Sequence, residues 1–354
     1  MKTIIDKVKN RERIDENEAL KLYDLDLLEL GTLADNIRKQ KYGKKSYFNI
    51  NRHINPTNIC KDTCKFCAYS ATRKNPNPYA MSIEEIVEIA KSAWKRGAKE
   101  VHIVSAHNPE VGLDWYLDSF AKVKEALPNI HIKALTAAEI NFLATEYNLS
   151  FQEVIDKMIK NGVDSMPGGG AEIFAEDVRD KICKGKVSSK DWLKIHELWH
   201  KMGKESNATM LFGHIESRED RIDHMNRLRE LQDKTGGFNA FIPLVYQREN
   251  NYLKVEKFLS ANEILKTYAI SRIFLDNIPH IKAYWATSTI NLALIAQEFG
   301  ADDLDGTIEK ESIQSAAGAK SANGMELQTF VDMIKNSGFI PVERDSLYNE
   351  IKIW

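Results

Sequence analysis

The chain has 354 residues, 43% hydrophobic and 28% charged, and a net charge of −2. This is the composition of an ordinary globular protein, and the even charge balance argues against the basic face by which nucleic acid is usually bound. No apolar run approaches the ~20 residues that span a bilayer, and Met1 to Glu16 lacks the apolar stretch of a secretory leader, so a cytoplasmic protein with neither a membrane nor a nucleic-acid partner is expected.

A helical preamble is expected over residues 16–41, carried by Leu20, Tyr23, Leu27, Leu28, Leu30 and Leu33. Residues 47–54 then read as a strand. Ser82, with Glu85 three residues on, has the form of a capping box, and Ile83, Ile86, Val87, Ala90 and Trp94 behind it repeat at helical spacing. The same unit recurs. Strands are expected at 100–105, 130–135, 162–166, 207–211, 238–244 and 281–284, with helices at 113–127, 137–161, 188–202, 218–234 and 262–276. Trp192, Ile195, Trp199 and Met202 fall on one helix face and read as core. Serial strand–helix units imply a parallel sheet with right-handed crossovers, and their number favours an α/β fold of the TIM-like (β/α) barrel type, complete or partial. No Gly-x-Gly-x-x-Gly follows the first strand, which disfavours a dinucleotide site. Three regions are expected: an N-terminal helical preamble at 1–45, a barrel at 46–287, and a C-terminal extension at 288–354 that closes or caps it. The polar stretch 300–306 reads as a loop near the site.

In parallel barrels the active site lies at the C-terminal ends of the strands. After the first strand stands Cys60-x-x-x-Cys64-x-x-Cys67, which contains three of the four cysteines. Cys183 stands alone and reads as an inert buried thiol. A cysteine cluster in a reducing compartment points to metal or catalysis rather than to disulfides. A structural zinc site takes four ligands in a closed tetrahedron, and no second Cys-x-x-Cys is present to complete one. Three thiolates can instead bind three irons of a [4Fe–4S] cube and leave the fourth iron open. The amino and carboxylate groups of S-adenosylmethionine (SAM) fit that open iron, and one-electron reduction then splits the sulfonium and releases a 5′-deoxyadenosyl radical.

With Phe66 before the last cysteine and the loop placed after the first strand, the chain resembles the radical SAM superfamily. The run Asn51-Arg52-His53-Ile54-Asn55-Pro56-Thr57-Asn58-Ile59-Cys60 is similar to the branch holding the menaquinone enzymes of the futalosine route and the deazaflavin-forming synthases. Within it, residues 131–140, 164–174, 206–216 and 275–285 resemble the aminofutalosine synthase family. Two segments depart from the family pattern: Val104 to Pro109, where a glycine pair is expected before His-Pro, and Tyr246 to Asn251.

The resemblance implies a radical SAM transferase acting in menaquinone biosynthesis and consuming SAM as a cosubstrate. The deoxyadenosyl radical adds to the enol-ether double bond of 3-[(1-carboxyvinyl)oxy]benzoate. Rearrangement and decarboxylation then give 6-amino-6-deoxyfutalosine. The alternatives are the related cyclase (dehypoxanthine futalosine cyclase), a deazaflavin-type synthase, or a non-catalytic iron–sulfur or zinc scaffold. An electron donor such as flavodoxin or ferredoxin is the implied partner. Cys60, Cys64 and Cys67 are the implied cluster ligands. Phe66, Gly168, Gly169, Glu172, Gly213, Glu216 and Glu139 are candidates for contact with SAM; each glycine segment also fits a tight turn, and each acid a helix's first turn. His107 is a candidate donor to substrate or SAM. Two carboxylates on the substrate call for cations, for which Arg52, Arg73 and Arg248 are candidates. His53 is expected to be packed inside the barrel, and Lys184-Gly185-Lys186 to be solvated surface.

Overall fold

In the computed structural model, residues 1–72, 76–256, 258–319 and 324–354 are described. Ten strands follow in chain order: β1 (Lys45–Asn49), β2 (Asn51–Ile54), β3 (Glu100–Ile103), β4 (His131–Ala134), β5 (Ser206–Phe212), β6 (Phe238–Val245), β7 (His280–Ile281), β8 (Asp303–Gly306), β9 (Ile340–Arg344) and β10 (Glu350–Ile353). β2, β3 and β4 pair in parallel, as do β5, β6 and β7. Single bridges join these two sheets through Lys133 to Ser165 and Met166 to Ser206, and join Lys282 to Asp303 on β8. β8 runs parallel to β1, and Arg52 bridges Glu309. The eight staves therefore close into a TIM-like barrel, with helices packed outside.

Local chemistry explains where the helices start. Helices Glu16–Lys21, Ile83–Lys95, Ala137–Glu146, Phe151–Lys160 and Arg218–Thr235 each open on a reciprocal capping box, at Asp15, Ser82, Thr136, Ser150 and Ser217. Each box satisfies two backbone donors that the first turn leaves without a partner. Trp192, Ile195 and Trp199 are fully buried, as their spacing predicts, but Met202 is 46% exposed because it lies past the end of helix Ser189–Lys201.

Several expectations are corrected. The single strand over 47–54 divides at Ile50, where the chain changes neighbour from β9 to β3. The strand over 162–166 reduces to two bridging residues, Ser165 and Met166. Residues 2–9 form a helix that buries Ile4 and Val8, although nothing in the alternating charges announced it. Helix Glu176–Ile182 is likewise additional. The acidic stretch expected as a loop contains strand β8, because each acid finds a cation. Asp302 pairs with Arg272, Asp303 with Arg344 at 2.6 Å, and Asp305 with Lys282 at 2.8 Å.

The C-terminal extension does more than add helices. β9 inserts beside β1, and the chain then crosses the N-terminal end of the barrel. Ser346 Oγ donates to Glu100 on β3 (2.6 Å), and its carbonyl accepts from Asn239 on β6 (3.3 Å). The Tyr348 ring stacks on His280 with centroids 3.6 Å apart. This strap floors the barrel, leaving the opposite end for the site.

Candidate active site

At the C-terminal ends of the strands, and reaching down into the barrel, lies a cavity of about 270 Å³. Cys60, Cys64 and Cys67 all line it, with Phe66 between them. The loop that carries them is built by β2 and held by hydrogen bonds from elsewhere. The backbone N–H of Lys61 donates to the carbonyl of His107 (3.0 Å), and that of Lys65 to the carbonyl of Ile182 (2.7 Å). Cys67 closes a turn by donating to the carbonyl of Cys64 at 3.1 Å.

His107 braces this loop from the end of β3. Its backbone N–H donates to Sγ of Cys60 at 3.4 Å, its Nδ1 lies 2.8 Å from Asp62, and its ring stacks on Phe142. Cys60, Asp62 and His107 thus present ligand atoms within 4.8 Å of one another. Burial raises the pKa of Cys60, and the two backbone N–H groups of His107 and Asp62 oppose the rise. Burial also pushes the Cys64 thiol well up, against the charge of Lys186.

Lys186 is the residue that sequence reasoning missed. Expected as surface within a Lys-Gly-Lys run, it lines the cavity, pairs with Glu172 at 2.8 Å and lies over the Phe66 ring. Burial works against its ammonium, but Glu172 and the thiols of Cys64 and Cys183 hold its pKa well above the usual value. An ammonium of this kind favours thiolate over thiol. Its neighbour in sequence, Lys184, is exposed as expected.

Soft sulfur donors on one loop, near a buried cation and backbone N–H groups, suit an iron–sulfur cluster. Cys183 is buried, 2% exposed, within the hydrophobic core, and does not line the cavity, although its thiol bears on Cys64 and Lys186 from behind.

Pro167, Gly168, Gly169, Gly170 and Glu172 form the neighbouring wall. Gly170 has φ +87°, and Glu172 has φ +46° with its carbonyl accepting from Leu211 N at 2.7 Å. A Cβ on Gly168 would meet the Asn207 carbonyl oxygen at 2.7 Å and Thr209 Cγ2 at 2.8 Å. Gly168 is therefore glycine because it lies flat on β5, whereas Gly169 and Gly170 press on Thr136 and Ala138 at the start of the helix after β4. Gly168→Ala is expected to cost about 1–3 kcal/mol, since the nearest atoms are backbone. Thermal unfolding of the variant checks this, and an unchanged midpoint would contradict the packing argument.

The other candidates lie outside the cavity lining. Glu139 caps its helix by accepting from Thr136 N (2.7 Å) and also accepts from Ser105 N (2.8 Å). Glu216, fully buried, accepts from Gly213 N (2.6 Å) and His214 N (2.8 Å) and pairs with Arg221. Gly213 provides the φ of +88° which that turn requires. Arg52 pairs with Glu309 at 3.6 Å, and Arg248 donates to the Val255 carbonyl and covers Phe258. Arg73 lies outside the described residues. Beyond the groups already named, the charged residues that line the cavity are Glu100, Lys133, Lys282, Asp305 and Glu311, beside His53 and His102.

Comparison with known proteins agrees with this geometry. Residues 54–228 match the family model of the radical SAM superfamily, and residues 235–353 that of the CofH/MqnC C-terminal region. The aminodeoxyfutalosine synthase of Thermus thermophilus is 42% identical, over 99% of this chain and 96% of its own length. The cyclic dehypoxanthine futalosine synthase of Streptomyces coelicolor is 35% identical, over 100% of this chain and 89% of its own. Among solved structures, methylornithine synthase (PylB) superposes with a TM-score of 0.77 at 17% identity, covering 96% of this chain and 97% of that one, and so supports the fold. No helix among the described residues is long and apolar enough to cross a membrane. With full-length relatives above 30% identity and both family models matched in order, the chain belongs to the radical SAM superfamily, the enzymes that work with a [4Fe–4S] cluster and SAM.

Proposed function

We propose that this chain carries out the aminodeoxyfutalosine synthase reaction. It joins the 5′-deoxyadenosyl group of SAM to 3-[(1-carboxyvinyl)oxy]benzoate and, with rearrangement and decarboxylation, yields 6-amino-6-deoxyfutalosine for menaquinone biosynthesis. The observation that carries the reading is 42% identity to a synthase of that name over nearly the whole of both chains. The cavity supports it, with sulfur ligands at one end and charged groups at the other.

In this reading Cys60, Cys64 and Cys67 hold the cluster. The chemistry supplied with a cluster and SAM bound is one-electron cleavage of the sulfonium, with the electron coming from a donor such as flavodoxin or ferredoxin. The protein's own part is positional. His107 and Asp62 keep the cysteine loop on β3, while Lys186 offsets thiolate charge. The 167–170 wall presents backbone to the nucleoside, and the closed barrel with its floored end keeps water from a reactive radical.

The test is anaerobic incubation of the reconstituted protein with SAM, dithionite and the enol-ether benzoate, followed by mass spectrometry. A product containing the adenosyl group is expected. Free 5′-deoxyadenosine in stoichiometric amount, with no adduct, would instead indicate hydrogen abstraction of the cyclase kind.

A further inference from the structure

We propose that the floor of the barrel chamber is a carboxylate site, in which the ammonium groups of Lys133 and Lys282 hold the ring carboxylate of the aryl enol-ether substrate. This rests on the function proposed above and deepens it.

Barrel interiors of this kind are normally filled by branched apolar side chains in layers. Here β4 points Lys133 inward, and the residue after β7 is Lys282, four staves away in either direction around the ring when the bridged pair Ser165–Met166 is counted as one. Their side chains are 4% and 2% exposed. Burying an ion costs several kcal/mol before pairing, so the core gains nothing from two lysines where leucines would pack. Each ammonium has three donors. Lys133 gives one to Glu100 at 2.7 Å and Lys282 one to Asp305 at 2.8 Å. These carboxylates are themselves anchored, Glu100 by Ser346 Oγ at 2.6 Å from the strap below. The pairs are thus fixed to the wall with donors to spare in the chamber.

Two further features match a benzoate. His102, on β3 beside Lys133, has a buried Nε2 with no hydrogen-bond partner. Ile242 and Leu244 on β6 supply an apolar wall on which an arene can rest. Of the arginines expected from the sequence as carboxylate partners, Arg52 and Arg248 lie outside the lining, and Arg73 lies outside the described residues. Placing the ring carboxylate at the floor directs the enol ether towards the sulfur-lined end.

The experiment compares the enol-ether benzoate with 2-phenoxyacrylate, which lacks only the ring carboxylate. Binding to the cluster-loaded protein is measured without reductant by calorimetry, and kcat/KM with it. Wild type should prefer the benzoate by on the order of 10- to 100-fold, the range for hydrogen bonds to charged groups. The double variants K133M/E100Q and K282M/D305N remove each pair together, so that no buried charge is left alone. In them the preference should fall below about 3-fold, with cluster absorbance and SAM affinity retained. A preference that survives in both variants overturns the site. If a double variant does not fold, wild type decides, because equal binding of the two compounds overturns it as well. Adduct formation with discrimination intact defeats the carboxylate site alone, whereas no adduct from wild type defeats the proposed function too.

Discussion

Cys64→Ala is expected to remove cluster and turnover together. Cys64 is the middle thiol of the loop, and the Lys186 charge opposes the effect of burial on it. With Cys60 and Cys67 alone, two corners of a cubane would be open. The loss should exceed the ~10–100-fold that follows removal of a residue behind a metal ligand, leaving no SAM cleavage above background. Iron and sulfide analysis after anaerobic reconstitution, the visible cluster absorbance and chromatographic assay of SAM cleavage read it out, with far-UV circular dichroism checking that the barrel persists. Cys183→Ala is the contrast. Cys183 is packed in the core and does not line the cavity, so that variant should keep its iron and give up only the packing of one small side chain. Iron bound normally by Cys64→Ala, or lost from Cys183→Ala, would mean that the ligand set is assigned wrongly.

The parts of the molecule that could be read in the sequence are those fixed by local pattern. Helical spacing behind Ser82 and the strand–turn–helix repeats predict the barrel, because periodicity and capping act within a few residues of each other. The cysteine loop was legible for the same reason, three sulfurs within eight positions. What stayed hidden depends on distant partners. β8 looked like a polar loop, since Asp302, Asp303 and Asp305 find Arg272, Arg344 and Lys282 only in the closed barrel. Lys186 looked like surface because its partner, Glu172, stands on the far side of a helix. Glu216 and Glu139 had the look of ligands to SAM, yet backbone N–H groups at helix starts take up their oxygens. The acids beside inward-facing lysines offered no local signal at all, as alternation along a strand does not say whether a charged residue faces water or a chamber.

The second large effect concerns the strap. Arg344→Met is expected to destabilise the protein by about 3–5 kcal/mol, the cost of breaking a buried ion pair by removing one partner. Arg344 is wholly buried at the end of β9. Its Nε donates to Asp303 at 2.6 Å, another nitrogen donates to the Asp345 carbonyl at 3.0 Å, and the guanidinium covers the Tyr348 ring at 4.2 Å. Burial works against its charge, yet Asp303 and its neighbours hold the pKa above the ordinary arginine value. Methionine fills much of the volume but leaves the Asp303 carboxylate in the barrel wall without its cation. Since 1 kcal/mol moves the midpoint by roughly 2–4 °C in domains of 150–250 residues, a fall of at least about 6 °C in Tm is expected. The double variant R344M/D303N should recover most of it, because the uncompensated charge goes with its partner. That recovery separates charge from packing: if the loss were merely the stacking on Tyr348, the second substitution would restore nothing. A Tm within about 2 °C of wild type for Arg344→Met alone would show that β9 and the strap close the barrel without this pair.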